Sequence, residues 1–188
     1  RLILGLLIKS PKKIKVIGDK SLSKRDFSRV TIPLGKFGVK FSYKIKNKLP
    51  LTILGTQSAE GIKYLENKGS AQCKSSIMFA ALNASGTTSI KAKKSRNHSE
   101  LLFKYLKIPI KVRKTKKFDF IDIKKPKKIN AFNYQIPGDI SSSAFFIVLT
   151  TLANDSKLLI KNVNINPSRV GVITILKKMG AQITLKNQ

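Results

Sequence analysis

The chain has 188 residues, 41% of them hydrophobic, so it can bury a sizeable core and is too apolar for a disordered segment. Its net charge of +29 comes mostly from lysine, and its longest apolar run, Leu2–Ile8, is too short to span a membrane. Cys73 is the single cysteine, which excludes an intrachain disulfide and fits a reducing, cytoplasmic location. With one histidine and one cysteine, the chain offers no metal-ligand cluster of those residues. We therefore expect no metal, no cofactor and no membrane partner.

The predicted elements recur in chain order as three related segments. The first segment shows only the second half of the pattern, with a strand at Ile14–Ile17, a loop containing Lys24 and Arg25, and a helix end that turns into a strand over Leu34–Phe41. The second and third segments each begin with an apolar helix, Ser70–Leu82 and Ser141–Leu152, followed by a short polar turn.

Each of these two turns leads to a strand, ending at Ile90-Lys91 or at Ile160-Lys161, then to a loop ending at Ser95-Arg96 or Ser168-Arg169, and then to a second helix. The helix-terminal turns at Gly38, Lys107 and Gly180 lie 69 and 73 residues apart. Glycine is the usual left-handed cap at this position, and the middle copy lacks it. The order predicts an α/β protein built from βαβαββ units.

A candidate anion site lies at the start of the second-segment helix, in the sequence Lys68-Gly69-Ser70-Ala71-Gln72. A glycine and a hydroxyl residue at a helix start expose backbone N–H groups and the positive end of the helix dipole, which favours phosphate or carboxylate. Gln72 adds an amide that both donates and accepts. The alternative is that Ser70 merely caps the helix, and the residues alone leave both interpretations open.

Further candidate positions lie in the loops. Arg96 precedes a predicted capping box, Asn97 with Glu100. Its guanidinium could bind a phosphate through two hydrogen bonds. His98 is more typical of a structural residue. Asp139 is placed to cap the third-segment helix or to orient a lysine, and position in the repeat alone does not make Arg169 a ligand. Cys73 and a set of aromatic residues are expected in the core: Phe79, Phe103, Tyr105, Phe145 and Phe146.

Four strings of residues resemble the family of 3-phosphoshikimate 1-carboxyvinyltransferases, in its order and spacing. They are Gly69-Ser70-Ala71-Gln72-Cys73-Lys74-Ser75, Ser95-Arg96-Asn97-His98-Ser99-Glu100, Pro137-Gly138-Asp139-Ile140-Ser141-Ser142 and Asn166-Pro167-Ser168-Arg169-Val170-Gly171. The resemblance extends over the whole chain. It implies an incomplete inside-out α/β barrel, with residues 1–130 as the later part of an N-terminal domain and residues 131–188 as the first unit of a C-terminal domain.

The resemblance also implies transfer of the enolpyruvyl group of phosphoenolpyruvate to the 5-hydroxyl of shikimate 3-phosphate, in the shikimate pathway to chorismate and the aromatic amino acids. By matching position, Ser70, Ala71, Gln72 and Arg96 would hold shikimate 3-phosphate. Arg1 and Gln72 would hold phosphoenolpyruvate, and Asp139 is a cleft-side acid of unspecified role. The acid–base residues of the family are expected outside these 188 residues. We therefore expect an internal piece that is inactive by itself and a complete enzyme that is a monomer.

Two other functions are compatible with parts of the sequence. UDP-N-acetylglucosamine enolpyruvyl transferase has the same architecture but lacks the Ser-Ala-Gln helix start. A basic RNA-binding module is supported by charge alone; the lysines are scattered and outnumber arginine 32 to 6. An A- and T-rich genome is the alternative source of the lysines. We expect no nucleic-acid partner. A loop departs from the family pattern at Ser23-Lys24-Arg25-Asp26-Phe27, which leaves its conformation open.

Overall fold

The computed structural model describes residues 1–186, and positions 187 and 188 of the expected C-terminal domain lie outside the described residues. The chain divides into two compact units, Arg1–Asn130 and Ala131–Gln188. Their assignment to the N- and C-terminal domains of a transferase stays a prediction, and each unit is described by itself.

The first unit carries two sheets. Its elements in chain order are a 3₁₀ helix Leu2–Leu7, β1 Ile14–Val16, α1 Lys20–Ser23, α2 Ser28–Gly35, β2 Lys40–Tyr43, β3 Leu51–Leu54, β4 Lys63–Glu66, α3 Ala71–Ala81, β5 Thr87–Lys93, α4 His98–Tyr105, β6 Ile110–Lys114 and β7 Phe118–Lys124.

A complete βαβαββ unit spans β4 to β7. Strands β4 and β5 are parallel and are joined by the crossover helix α3, as parallel neighbours require. After α4, strands β6 and β7 form an antiparallel pair, and β7 inserts beside β5 to give the sheet order β4-β5-β7-β6. The predicted unit of the repeat is confirmed.

The first segment is the second half of the same unit. Strand β3 lies between β1 and β2 and pairs antiparallel with both, giving the order β1-β3-β2. This is the arrangement of β5-β7-β6, without a counterpart of β4. The incomplete first copy predicted from the sequence is therefore confirmed.

The residues at the three helix-terminal turns all have positive φ. Gly38 and Gly180 have φ of 93° and 97°, and Lys107 has φ of 54°. After Lys107, the N–H of Ile108 donates to the carbonyl of Phe103 at 2.9 Å, which closes a Schellman-type end of α4. The left-handed position is kept in the middle copy although lysine replaces glycine there.

Helix α3 lies inside the first unit. Eight of its eleven residues are buried, which is typical of a helix covered on every side. Gly5 of the 3₁₀ helix packs against its backbone so closely that a Cβ there would lie 2.1 Å from the carbonyl oxygen of Ser76. By contrast, the sheet β4-β5-β7-β6 leaves Leu65 and Lys91 exposed on its outer face. Helices inside and sheets outside agree with the predicted inside-out arrangement.

The second unit contains α5 Ile140–Leu152 and α6 Gly171–Lys178 and, in its described part, no strand. The strand predicted to end at Ile160-Lys161 was wrong. A strand needs neighbours that satisfy its backbone groups, and the described part of this unit offers a single bridge, between Gly138 and Val163.

The same shortage of neighbours corrects the aromatic core. Phe103 is buried and Phe79 packs beside it, with ring centroids 5.8 Å apart. Phe145 and Phe146, which were predicted to be buried, are 79% and 62% exposed in the second unit. Tyr105, which was also predicted to be buried, is 61% exposed on α4.

No helix within residues 1–186 is long and apolar enough to cross a membrane.

Candidate functional site

Helix α3 begins at a tightly packed glycine. Gly69 has φ of 68° and its Cβ position lies 3.3 Å from the carbonyl oxygen of Lys94, so a side chain there would be strained and crowded. The hydroxyl of Ser70 accepts a hydrogen bond from the N–H of Cys73 at 3.2 Å. The capping interpretation of Ser70 is confirmed. The backbone N–H groups of Ala71 and Gln72 belong to the first turn of the helix, at the positive end of its dipole.

The Arg1 guanidinium meets this helix start. Its Nη1 donates to Oε1 of Gln72 at 3.1 Å, and its Nη2 donates to the carbonyl of Asp26 at 2.9 Å. The guanidinium also lies over the ring of Phe27, 5.3 Å from its centroid. Two residues predicted from the sequence, Arg1 and Gln72, are therefore brought together from positions 71 apart.

Positive charge surrounds Arg1. Burial lowers the pKa of its guanidinium, and the charges of Arg25 and Arg29 lower it further, with Asp26 acting in the opposite direction. The buried Nε of Arg1 has no hydrogen-bond partner among the described residues. A cation that is partly desolvated and close to other cations would be stabilised by an anion. The geometry therefore suits a carboxylate or a phosphate beside Arg1.

The loop that departs from the family pattern holds this arginine. The carboxylate of Asp26 accepts from the N–H and hydroxyl of Ser28, at 2.8 and 2.7 Å, and this fixes the carbonyl that Arg1 reaches. These hydrogen bonds also lower the pKa of Asp26, that of the Ser28 hydroxyl most. Asp26 and Phe27 were not predicted as site residues; the departure of their loop from the family pattern was the available signal.

Arg96 reaches the same helix start through its backbone. Its carbonyl accepts a hydrogen bond from Nζ of Lys74 at 2.9 Å, and its side chain is exposed. The predicted capping box is wrong. Asn97 gives no side-chain cap to α4, and the carboxylate of Glu100 instead pairs with the ammonium of Lys74 at 2.6 Å. A buried lysine competes for the carboxylate more strongly than a backbone N–H does.

Two buried side chains lie in the segments next to Arg96 and Ser70. The hydroxyl of Ser95 is buried without a hydrogen-bond partner among the described residues. Cys73 is buried, as predicted, and burial raises the pKa of its thiol to about 12. A thiol with that pKa stays protonated at neutral pH, so Cys73 is a core residue and not a nucleophile.

In the second unit, Asp139 caps α5 by accepting from the N–H of Ser141 at 3.1 Å, which confirms the capping interpretation. Arg169 lies 3.4 Å from the Asp139 carboxylate and donates to the Ser141 hydroxyl. Asp139 therefore partly neutralises Arg169, whereas Ser70, at the equivalent helix start of the first unit, brings no carboxylate. A further role of Asp139 stays a prediction.

A separate basic groove, about 700 Å³ in volume, runs over the outer face of the sheet β4-β5-β7-β6. The ammonium of Lys91 lies 4.8 Å and 5.7 Å from the ring centroids of Phe118 and Phe120, and the guanidinium of Arg113 lies 4.1 Å from that of Phe120. These cations cover the two rings. Within residues 1–186 no group of three His, Cys, Asp or Glu side chains could hold a metal ion.

Comparison with known proteins gives matches along the whole chain. A family model described as EPSP synthase (3-phosphoshikimate 1-carboxyvinyltransferase) matches residues 1–188. A protein named 3-phosphoshikimate 1-carboxyvinyltransferase from Endomicrobium trichonymphae is 42% identical over 188 residues, and one from Caldicellulosiruptor bescii is 39% identical over 189. Each alignment covers 100% of this chain and 43% of the relative.

The fold is matched as well. The structure of EPSP synthase from Acinetobacter baumannii superposes with a TM-score of 0.82 at 36% sequence identity, covering 99% of this chain and 41% of that one. The chain thus spans less than half the length of the proteins it matches. The similarity supports the α/β fold of repeated βαβαββ units, in an incomplete form.

Proposed function

Since the chain belongs to the EPSP synthase (3-phosphoshikimate 1-carboxyvinyltransferase) family, we propose that it supplies the substrate-holding surface for transfer of the enolpyruvyl group of phosphoenolpyruvate to shikimate 3-phosphate. The observation that carries this proposal is the hydrogen bond between Arg1 and Gln72 at the start of α3. It places a guanidinium, a carboxamide and a helix N-terminus side by side, which suits two anionic substrates that must meet.

The phosphate of shikimate 3-phosphate fits the start of α3. Backbone N–H groups of Ala71 and Gln72, the hydroxyl of Ser70 and the positive end of the helix dipole all favour a phosphate there. Arg96, whose backbone carbonyl is held by Lys74 of the same helix, brings a guanidinium that can donate two parallel hydrogen bonds to phosphate oxygens. Gly69 keeps the approach open because any larger residue would press on Lys94.

Phosphoenolpyruvate fits beside Arg1. The guanidinium is partly desolvated and lies near Arg25 and Arg29, and its buried Nε is a donor without a partner among the described residues, so an anionic carboxylate or phosphate would be favourable there. Gln72 accepts from Arg1 through its oxygen and retains an amide NH₂ that can donate to either substrate. Arg1 and Gln72 would thereby orient the enol carbon toward the 5-hydroxyl of the ring.

The chemical step needs further groups. Addition of the 5-hydroxyl to the enol carbon, protonation of the methylene and elimination of phosphate require a general base and a general acid. We propose that these groups belong to parts of the enzyme outside residues 1–188, because the site residues in hand bind and orient. Residues 1–130 would then form the later part of the N-terminal domain, and residues 131–188 the first unit of the C-terminal domain.

The test is phosphate release by the full-length gene product that carries residues 1–188. Release should require both shikimate 3-phosphate and phosphoenolpyruvate, and unphosphorylated shikimate should not replace the former. Arg96→Gln should raise the KM for shikimate 3-phosphate on the order of tenfold to hundredfold, since a charge-assisted phosphate contact is lost. Lys104→Gln removes an equal charge from the exposed end of α4 and should leave the KM unchanged.

Two results would contradict the proposal. One is a full-length protein that releases no phosphate from the two substrates together. The other is an Arg96→Gln variant whose KM matches that of Lys104→Gln, because the loop would then contribute only general positive charge.

The basic groove on the outer sheet face favours the alternative of an RNA-binding module. Against it, Lys91 and Arg113 already stack on Phe118 and Phe120, so the rings are not presented to bases. We expect no saturable binding of an oligouridylate at physiological salt, measured by fluorescence anisotropy. We further propose a cytoplasmic, monomeric enzyme, and size-exclusion chromatography with light scattering checks the monomer.

A further inference from the structure

Lys74 carries a charge in the interior of the first unit. Its side chain is 0% exposed, and its ammonium lies 2.6 Å from Oε1 of Glu100, which is itself 5% exposed. Removing a lysine from water is costly unless it is paired and hydrogen-bonded. An apolar residue at this inward-facing position would fill the same space, so the charge itself calls for an explanation.

The ammonium makes a second contact, with the backbone of the Arg96 loop. It donates to the main-chain carbonyl of Arg96 at 2.9 Å. Lys74 stands in the first turns of α3, whose start carries Ser70 and Gln72, and Glu100 stands in the first turn of α4. The pair therefore joins the two helix starts and fixes the backbone of Arg96 between them.

We infer that Lys74 and Glu100 are positioning residues that fix the Arg96 loop to the start of α3, and so set the distance between the Arg96 guanidinium and the Ser70–Gln72 helix start. The kinetic test of this role rests on the proposed function, because it measures the KM for shikimate 3-phosphate. A bound phosphate that is held from both sides needs these two elements in register, and a displacement of about 1 Å can reduce the rate on the order of a hundredfold.

The pair can be removed without leaving an unpaired charge. In the double variant Lys74→Met with Glu100→Leu, both charges are replaced by apolar groups of similar volume, which is often neutral or stabilising for a buried pair. The single variant Lys74→Met leaves the buried Glu100 carboxylate unpaired, which destabilises the fold, so the double variant is the one tested. The matched control is Ser75→Ala with Ser99→Ala, which removes another buried contact between the same helices, 2.6 Å between hydroxyls, that does not involve Arg96.

The kinetic measurement uses the full-length gene product. The Lys74→Met, Glu100→Leu variant should keep a thermal midpoint close to wild type and raise the KM for shikimate 3-phosphate on the order of tenfold, with a smaller change for phosphoenolpyruvate. The serine control should leave both KM values unchanged. Lys74→Arg, which restores a donor to the Arg96 carbonyl and a partner for Glu100, should recover part of the loss.

A second readout needs no substrate. Amide hydrogen exchange over residues 94–101 should accelerate about tenfold in the double variant, because local opening of this segment becomes easier. Exchange in the strands β5, β6 and β7 should stay unchanged. A folded double variant with wild-type exchange and wild-type KM would overturn the positioning role. A wild-type protein without turnover would instead refute the proposed function, and the exchange result would still decide the role of the pair.

Discussion

Replacing Gly5 with alanine should force the 3₁₀ helix away from α3. The new Cβ would lie 2.1 Å from the carbonyl oxygen of Ser76 and 3.1 Å from the backbone nitrogen of Ala80. To reach the 3.4 Å at which ordinary contact begins, one backbone must move by roughly 1.3 Å. Both obstacles are main-chain atoms of a buried helix, so no side-chain rotation can relieve the clash.

The expected cost is at the upper end of the range for overpacked cores, about 3 kcal/mol in the free energy of unfolding. Urea unfolding of the full-length gene product, followed by far-UV circular dichroism, measures it. Because Arg1 immediately precedes the 3₁₀ helix, the same shift should also lengthen the 3.1 Å contact to Gln72 and raise the KM for phosphoenolpyruvate.

The matched control is Gly35→Ala at the end of α2, where a Cβ would meet no heavy atom within 4 Å. This change should be neutral or stabilise by roughly 0.5–1 kcal/mol, because alanine favours the helix. The predicted clash between residue 5 and α3 is refuted if Gly5→Ala unfolds at the urea concentration of the wild type, or if both glycine variants lose stability equally.

Lys107→Gly should stabilise the protein by about 0.5 kcal/mol, since glycine removes the left-handed strain at φ of 54° but adds freedom to the unfolded chain; thermal denaturation measures this, and a lower midpoint would contradict it. Cys73 should resist iodoacetamide at pH 8 until the protein is unfolded, because its thiol has a pKa of about 12; rapid labelling of the native protein, detected by mass spectrometry, would refute its burial. The pKa of Asp139 is lowered, chiefly by the hydrogen bond from the Ser141 N–H, so its contribution to stability is present above pH ~4 and is lost as the pH falls through the lowered pKa. The stability difference between wild type and Asp139→Asn should therefore shrink in acid, and a difference that grows there would contradict the sign.

Local features of the site were accessible to sequence reasoning because they depend on neighbouring residues. Ser70 and Asp139 cap their helices as their residue types and positions predict. The repeat predicted a helix-terminal turn at Lys107, and the structure adds that this lysine takes the left-handed conformation that glycine takes in the other copies. In each case the decisive interaction spans a few residues, so the sequence pattern contains it.

The errors arose where distant groups compete. Asn97 and Glu100 have the spacing of a capping box, yet Glu100 turns to a lysine 26 positions earlier in the chain because a buried ammonium needs a counter-charge. Phe145 and Phe146 have the spacing of core residues, yet burial depends on what covers the helix, and the described part of the second unit supplies no sheet.

The sequence alone determined the βαβαββ repeat, the helix starts and the family resemblance, since these follow from periodicity, capping and local motifs. Only the tertiary structure decided that Arg1 reaches Gln72, that Asp26 and Phe27 hold Arg1, and that Lys74 ties the Arg96 loop to α3. The reason is physical: these contacts join residues 22 to 71 positions apart, and which partner satisfies a buried charge is settled by packing rather than by spacing along the chain.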